Sequence, residues 1–249
     1  MRVVVAMPAY NEARGIGEFV DEVARAMLPH DVRFVVADDC STDDTLHVLA
    51  EVSVSNQVRT LPGQRNMGHG PTTLRALRES LVYEPDVVVA VDGDGQFTGG
   101  DIRRLVDLLV TANFDLVEGV RVGRKDPIFR RVTSWVTRTL VHFRIGERPL
   151  DANTPLRVYR PASLVALLSD VPSNAITPNL LISALSRVSG LRISEEPVTS
   201  IPRRGGDPAG TTWRARRTSL PSMRFIRFCL QAGQQWVASP LHPRESGRT

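Results

Sequence analysis

Three times in the first hundred residues a short run of apolar residues stops abruptly at a polar cluster. Val3-Val4-Val5-Ala6-Met7 stops at Pro8-Ala9-Tyr10-Asn11-Glu12, and Phe34-Val35-Val36-Ala37 at Asp38-Asp39-Cys40-Ser41-Thr42-Asp43; Val88-Val89-Ala90-Val91 stops at Asp92-Gly93-Asp94-Gly95-Gln96. Runs apolar on both faces are strands covered from both sides, as in sheets flanked by helices. The helices follow in order. Ile16, Phe19, Val20, Val23 and Met27 recur at helical spacing after the first cluster, Leu46, Val48, Leu49 and Val52 after the second, and Ile102, Leu105, Val106, Leu108 and Leu109 after the third. This alternation predicts βαβ units and an α/β fold with a mostly parallel sheet. Right-handed crossovers then set the carboxyl ends of the parallel strands along one edge, where the three polar clusters are expected to converge.

The third cluster carries the most chemistry. Asp92, Asp94 and Gln96 offer hard oxygen atoms, which suit Mg²⁺ or Mn²⁺ rather than zinc, and such ions keep open positions for substrate phosphates. Open α/β sheets also bind their ligands outside the carboxyl ends of the strands. Asp-Gly-Asp-Gly has the composition of a tight turn as well, and on these residues alone both readings stand.

Composition narrows the setting. The 249 residues are 42% hydrophobic, enough to bury one enzyme-sized core without an internal linker. The two cysteines, Cys40 and Cys229, lack metal-ligand spacing and read as ordinary thiols of a reducing cytoplasm. The first residues enter a core strand and read as no signal peptide, and no apolar run is long enough to cross a bilayer. The net charge is +4, yet nine arginines stand against Asp207 and Glu245 from residue 203 onward, so the rest is net acidic. That basic carboxyl-terminal segment, with Trp213, Phe225, Phe228 and Trp236, reads either as a helix packed on the domain or as a peripheral contact with an anionic membrane face. It matches no nucleic-acid module. The sequence is silent on oligomeric state.

Five motifs in order, Pro8-Ala9-Tyr10-Asn11-Glu12, Asp38-Asp39-Cys40-Ser41-Thr42-Asp43, Arg65-Asn66-Met67-Gly68-His69-Gly70, Asp92-Gly93-Asp94-Gly95-Gln96 and Gly119-Val120-Arg121, resemble the GT-A domain of glycosyltransferase family 2. Within it the chain is similar to the polyprenyl-phosphate sugar synthases. The resemblance implies a single Rossmann-like GT-A domain over residues 1–206, with a nucleotide half to about 122 and an acceptor half over 123–206, followed by a basic helix and tail over 207–249. It implies a metal-dependent, inverting transfer of a sugar from a nucleoside diphosphate, GDP or UDP, to a polyprenyl phosphate or similar acceptor.

Residue by residue, the resemblance puts Pro8, Tyr10, Glu12 and Asp39 around the nucleoside, and Asp92, Gly93, Asp94 and Gln96 at the metal and diphosphate. An aromatic ring can stack on a base, and a carboxylate can accept from a base N–H; Asp38 reads as a strand-end residue. Arg121 occupies the place of the family's Gly-Ser-Arg arginine, and Arg130 and Arg131 follow as further candidates for an acceptor phosphate, since a guanidinium reads phosphate oxygens bidentately. Asp151-Ala152-Asn153-Thr154-Pro155-Leu156-Arg157-Val158-Tyr159-Arg160 resembles the family's Asp-x-Thr-x-Gly-Phe-Arg-x-Tyr-Arg stretch. Asp151 is there the candidate base for a hydroxyl acceptor, its alternative role being to order its own loop. Arg203, with Arg204 as a substitute, matches the arginine loop that closes on the diphosphate. Pro155 in place of a glycine, Pro208-Ala209 in place of Ser-Lys, and Asn179 where relatives often carry a carboxylate depart from the pattern on the acceptor side. Two alternatives follow from those departures: a glycosyltransferase acting on a soluble small molecule, and a nucleotide-sugar-binding protein without turnover.

Overall fold

Strand β1 (Arg2–Ala9) runs through the centre of the molecule, buried from Val3 to Ala9. Alternate residues of a strand point to opposite faces, so β1 contributes to two apolar layers. Val3, Val5 and Met7 pack with Phe19 and Val20 on one face, whereas Val4 and Ala6 share the other with Leu74 and Leu77. In chain order the elements after β1 are α1 (Ile16–Ala26), β2 (Asp31–Asp38), α2 (Thr45–Val52), β3 (Gln57–Leu61), α3 (His69–Ser80), β4 (Val87–Ala90), α4 (Gly99–Thr111) and β5 (Leu116–Val122). Then come α5 (Ile128–Ile145), β6 (Arg157–Tyr159), α6 (Pro161–Asp170), α7 (Pro178–Val188), β7 (Ile193–Thr199) and α8 (Met223–Ala238). This computed structural model describes residues 1–53, 56–122, 128–205 and 223–239, except the side chains of 128–134, 223–226 and 228.

The predicted α/β architecture is present as a seven-stranded sheet of order β3-β2-β1-β4-β6-β5-β7. The first layer takes its helical residues from α1, α2 and α4, and the second from α3, α5, α6, α7 and Trp236 of α8. Each fully buried large side chain, such as Phe19, stabilises such a layer by about 1.5–3 kcal/mol. All pairings are parallel except those of β6, which runs antiparallel to both β4 and β5. The register levels the strand ends, with Ala9 opposite Asp38 and Ala6 opposite Ala90.

Two features of this order position the site. The chain steps from β1 to β2 and β3 on one side and then crosses to β4 on the other, so the strand order reverses between β1 and β4; such switch points open a crevice at the carboxyl edge. Because β6 is antiparallel, the loop entering it, residues 151–156, arrives at that same edge. Helix α4 begins directly after the third polar cluster, and the Thr98 hydroxyl accepts from the Asp101 N–H at 3.1 Å to cap it.

Candidate active site

The polar strand ends converge as expected, and hydrogen bonds join them. The Asn11 N–H donates to the Ser41 hydroxyl at 3.0 Å, the Glu12 N–H to the Thr45 hydroxyl at 2.9 Å, and the Thr42 N–H to Asn11 Oδ1 at 2.8 Å. Asn11 takes φ 54°, a left-handed conformation that asparagine tolerates through local hydrogen bonding. Pro8 lies in β1 with its carbonyl accepting from the Gly93 N–H at 3.1 Å, so the first and third clusters are in contact, and half-buried Tyr10 stands just beyond the strand. Asp38 is buried and accepts from the Ser41 N–H at 3.0 Å, as befits a strand-end residue. Asp39 is also buried, but its two oxygens accept from the Met67 and Gly68 N–H groups at 2.6 and 2.9 Å. It therefore fixes the loop that leads into α3, and a base N–H at this position would have to use the remaining lone pairs.

The acids at the switch point repel one another. Burial first, and then the Asp92 carboxylate, push the Asp94 carboxyl up to about 6. Burial likewise pushes Glu12 up to about 7, against the pull of Arg203, with Asp94 and Asp92 adding to the rise. Arg203 grips Glu12 bidentately, its Nε donating at 3.0 Å, and a further guanidinium N–H reaches the Asn11 carbonyl at 3.3 Å. Arg204 is committed elsewhere. It pairs with Glu22 of α1, donates to the Gly95 carbonyl at 3.3 Å and lies 5.4 Å from the centre of the Phe19 ring. Of the two sequence candidates, Arg203 thus belongs to the acid cluster, while Arg204 ties its loop to α1. His69, at the start of α3, brings Nε2 to 3.6 Å from Asp92. Its place in the third motif was the available signal for that.

A surplus of partly buried negative charge is what a divalent cation offsets. Asp92 and Asp94 are hard ligands of the right kind, and Gln96 sits beside them, its N–H donating to Asp94 Oδ1 at 3.2 Å and its amide to the Ile201 carbonyl at 3.4 Å. Among the described residues no group of three or more His, Cys, Asp and Glu side chains is arranged to enclose an ion. The donor set therefore fits a hard cation that shares its remaining positions with water and phosphate oxygens.

Two residues expected to serve the acceptor, Arg121 at the end of β5 and Asp151 on the loop before β6, meet each other. Arg121 Nε and Nη2 donate to the two Asp151 oxygens at 2.7 and 3.0 Å, and Nη2 reaches the Asn153 carbonyl at 3.3 Å. Arg130 and Arg131 are in α5, and their side chains lie outside the described residues. Beneath this pair is a charged cluster that sequence patterning did not reveal. Arg157, fully buried, donates to Glu118 at 2.9 Å and to Asn179 at 3.0 Å, and Arg187 donates to the other Glu118 oxygen at 2.8 Å.

A family model, Glycosyl transferase family 2, matches residues 4–164, more than half of the chain. The chain belongs to glycosyltransferase family 2. A dodecaprenyl-phosphate galacturonate synthase of Rhizobium johnstonii is 28% identical over 244 residues, covering 94% of this chain and 70% of that protein. Among solved structures, glucosyl-3-phosphoglycerate synthase from Mycobacterium tuberculosis, in complex with Mn²⁺ and UDP-glucose, superposes with a TM-score of 0.65 at 20% identity, covering 98% of this chain and 80% of the other. The mannosyltransferase PcManGT from Pyrobaculum calidifontis, in complex with GDP-mannose and Mn²⁺, has a TM-score of 0.58 at 22% identity, covering 82% and 58%. These superpositions agree with the GT-A fold, and the family makes the chain a glycosyltransferase.

Proposed function

We propose that this family 2 enzyme is a metal-dependent, inverting glycosyltransferase that moves a sugar from a nucleoside diphosphate to a phosphate monoester, a polyprenyl phosphate in the first instance. The observation that carries the donor half is the meeting of Asp92, Asp94, Glu12 and Arg203 at the switch point between β1 and β4. Mg²⁺ or Mn²⁺ held by Asp92 and Asp94 would offset the charge that grows on the departing diphosphate. Arg203, kept near by Glu12, supplies a bidentate guanidinium to the same phosphates. Pro8, Tyr10 and Asp39 flank the base, and Gly93 lets the backbone approach. The mixed set of similar structures, one in complex with a uridine and one with a guanosine nucleotide sugar, leaves either base open to test.

For the acceptor, the bidentate pairing of Arg121 with Asp151 favours a phosphate over a hydroxyl. Both Asp151 oxygens are occupied by a guanidinium, which makes the carboxylate a poor general base. A phosphate monoester is already ionised near neutral pH and attacks without a base. The galacturonate synthase's name supports a polyprenyl phosphate. A lipid acceptor also suits α5, where Trp135 is 58% and Phe143 84% exposed and Val136 and Leu140 are exposed as well, an apolar surface fit for peripheral contact with a membrane. No helix among the described residues is long and apolar enough to cross one.

The test is thermal stabilisation by UDP and by GDP, each with and without Mn²⁺, in the natural protein and in Asp94→Ala. One nucleotide stabilising only with metal, and not in the variant, is expected, because a ligand specific to the folded state raises stability with the logarithm of its saturation. No shift with either nucleotide would sink the donor site. Transfer from the matching sugar nucleotide to a polyprenyl phosphate, compared with a soluble sugar phosphate, then tests the acceptor.

A further inference from the structure

Glu118 and Arg157 face each other across the antiparallel β5–β6 pair, in register and almost without exposure to solvent. Burying charges is costly, and their attraction repays this only when further hydrogen bonds complete the geometry. Here they do. The Arg157 fork donates to Glu118 through Nε at 2.9 Å, to Asn179 of α7 through Nη1 at 3.0 Å and to the Ala152 carbonyl through Nη2 at 3.3 Å. Glu118 is held in turn by Arg187, which also pairs with Glu195 at 3.1 Å.

The third of those contacts matters for chemistry. Ala152 immediately follows Asp151, whose carboxylate meets Arg121, and the loop is fastened at three more points. The Thr154 N–H donates to the Asp151 carbonyl at 3.2 Å, the Thr154 hydroxyl donates to the Gly119 carbonyl, and the Gly119 N–H donates to the Leu156 carbonyl at 2.9 Å. Strand β5 thus presents Glu118, Gly119 and Arg121 to one loop. The buried guanidinium grips the loop one residue from the carboxylate that Arg121 reads.

We propose that Arg157, anchored by Glu118 and Asn179, is a positioning residue for acceptor recognition: through the Ala152 carbonyl it sets where Asp151 stands and thereby where the Arg121 guanidinium is offered to an acceptor anion. This rests on the glycosyltransferase reading above. Lysine at this position keeps the charge but has no planar fork, so it cannot meet Glu118, Asn179 and Ala152 together. In Arg157→Lys the acceptor-dependent kcat/KM is expected to fall about 100-fold, the scale of a catalytic group misplaced by an ångström. Nucleotide–Mn²⁺ affinity by calorimetry should stay within about twofold, since that site lies at the other side of β4. Equal loss of donor affinity, or transfer at the natural rate, overturns the proposal. If Arg157→Lys does not fold, Asn179→Ala carries the same test, because it removes one anchor and leaves the ion pair in place. If the natural protein transfers no sugar, the glycosyltransferase reading has failed on its own. The positioning role is then decided by amide hydrogen exchange over residues 151–154, which should accelerate in the variant and overturns the proposal if unchanged.

Discussion

At the scale of the residue, the acids of the switch point are held in tension. Glu12 and Asp94 have carboxyl groups raised to about 7 and about 6, chiefly by burial. A carboxyl whose folded-state value is raised binds more protons folded than unfolded, so stability falls as pH rises. For Asp94 the window runs from its ordinary value of 3.8 to about 6, and for Glu12 from 4.5 to about 7. The metal-free protein is therefore expected to lose stability from these two groups between pH 4 and pH 7, and Asp94→Asn should raise its melting temperature at pH 7.5 but not at pH 4. If Asp94 holds the metal as proposed, Mn²⁺ has to displace its proton, and the Mn²⁺ affinity should climb through pH 6. A pH-independent affinity, or a melting temperature that Asn leaves unchanged at pH 7.5, would contradict this account. The acid spacing that underlies it was legible in the chain, whereas Glu12's partner was not, because Arg203 is 191 residues away.

At the scale of the element, the loop after β7 is locked to the loop after β4. The Arg204 N–H donates to the Asp94 carbonyl at 3.1 Å, and Arg204 leans over Gly95, which takes φ +65°. A Cβ on Gly95 would stand 2.5 Å from Arg204 Cδ. Gly95→Ala should cost about 1–2 kcal/mol from backbone conformation alone. It should also push Arg204 away from Glu22 and weaken nucleotide–Mn²⁺ binding, since Arg203 is adjacent. Calorimetry on the folded variant checks this, and unchanged affinity would mean that the two loops are independent. Helices α1, α2 and α4 and strands β1, β2 and β4 were readable from apolar patterning, which local sequence carries. Strand β6 was not, because three residues, Arg157 to Tyr159, are too few to show a period, and one of them is a buried arginine.

Across the whole molecule, the residues proposed to serve the acceptor include the Arg121–Asp151 pair, and α5 carries exposed aromatic groups. If that helix meets a bilayer, replacing Trp135 and Phe143 together by serine should reduce co-sedimentation with anionic vesicles about 10-fold or more, as expected from the apolar area withdrawn. Nucleotide–Mn²⁺ binding should be unaffected; vesicle binding equal to that of the natural protein would remove the membrane from the acceptor's account. The α/β class, the edge on which the polar clusters gather and the hard-ligand character of Asp92 and Asp94 could be read from the chain, because each is carried by residues close together in it. Folding was needed to bring Arg203 rather than Arg204 to the acids, to set Asp39 against the loop before α3, and to engage Asp151 with Arg121 next to the Glu118–Arg157 pair. Those outcomes depend on an antiparallel strand inserted between β4 and β5, and on charged groups that become neighbours only when the sheet is assembled.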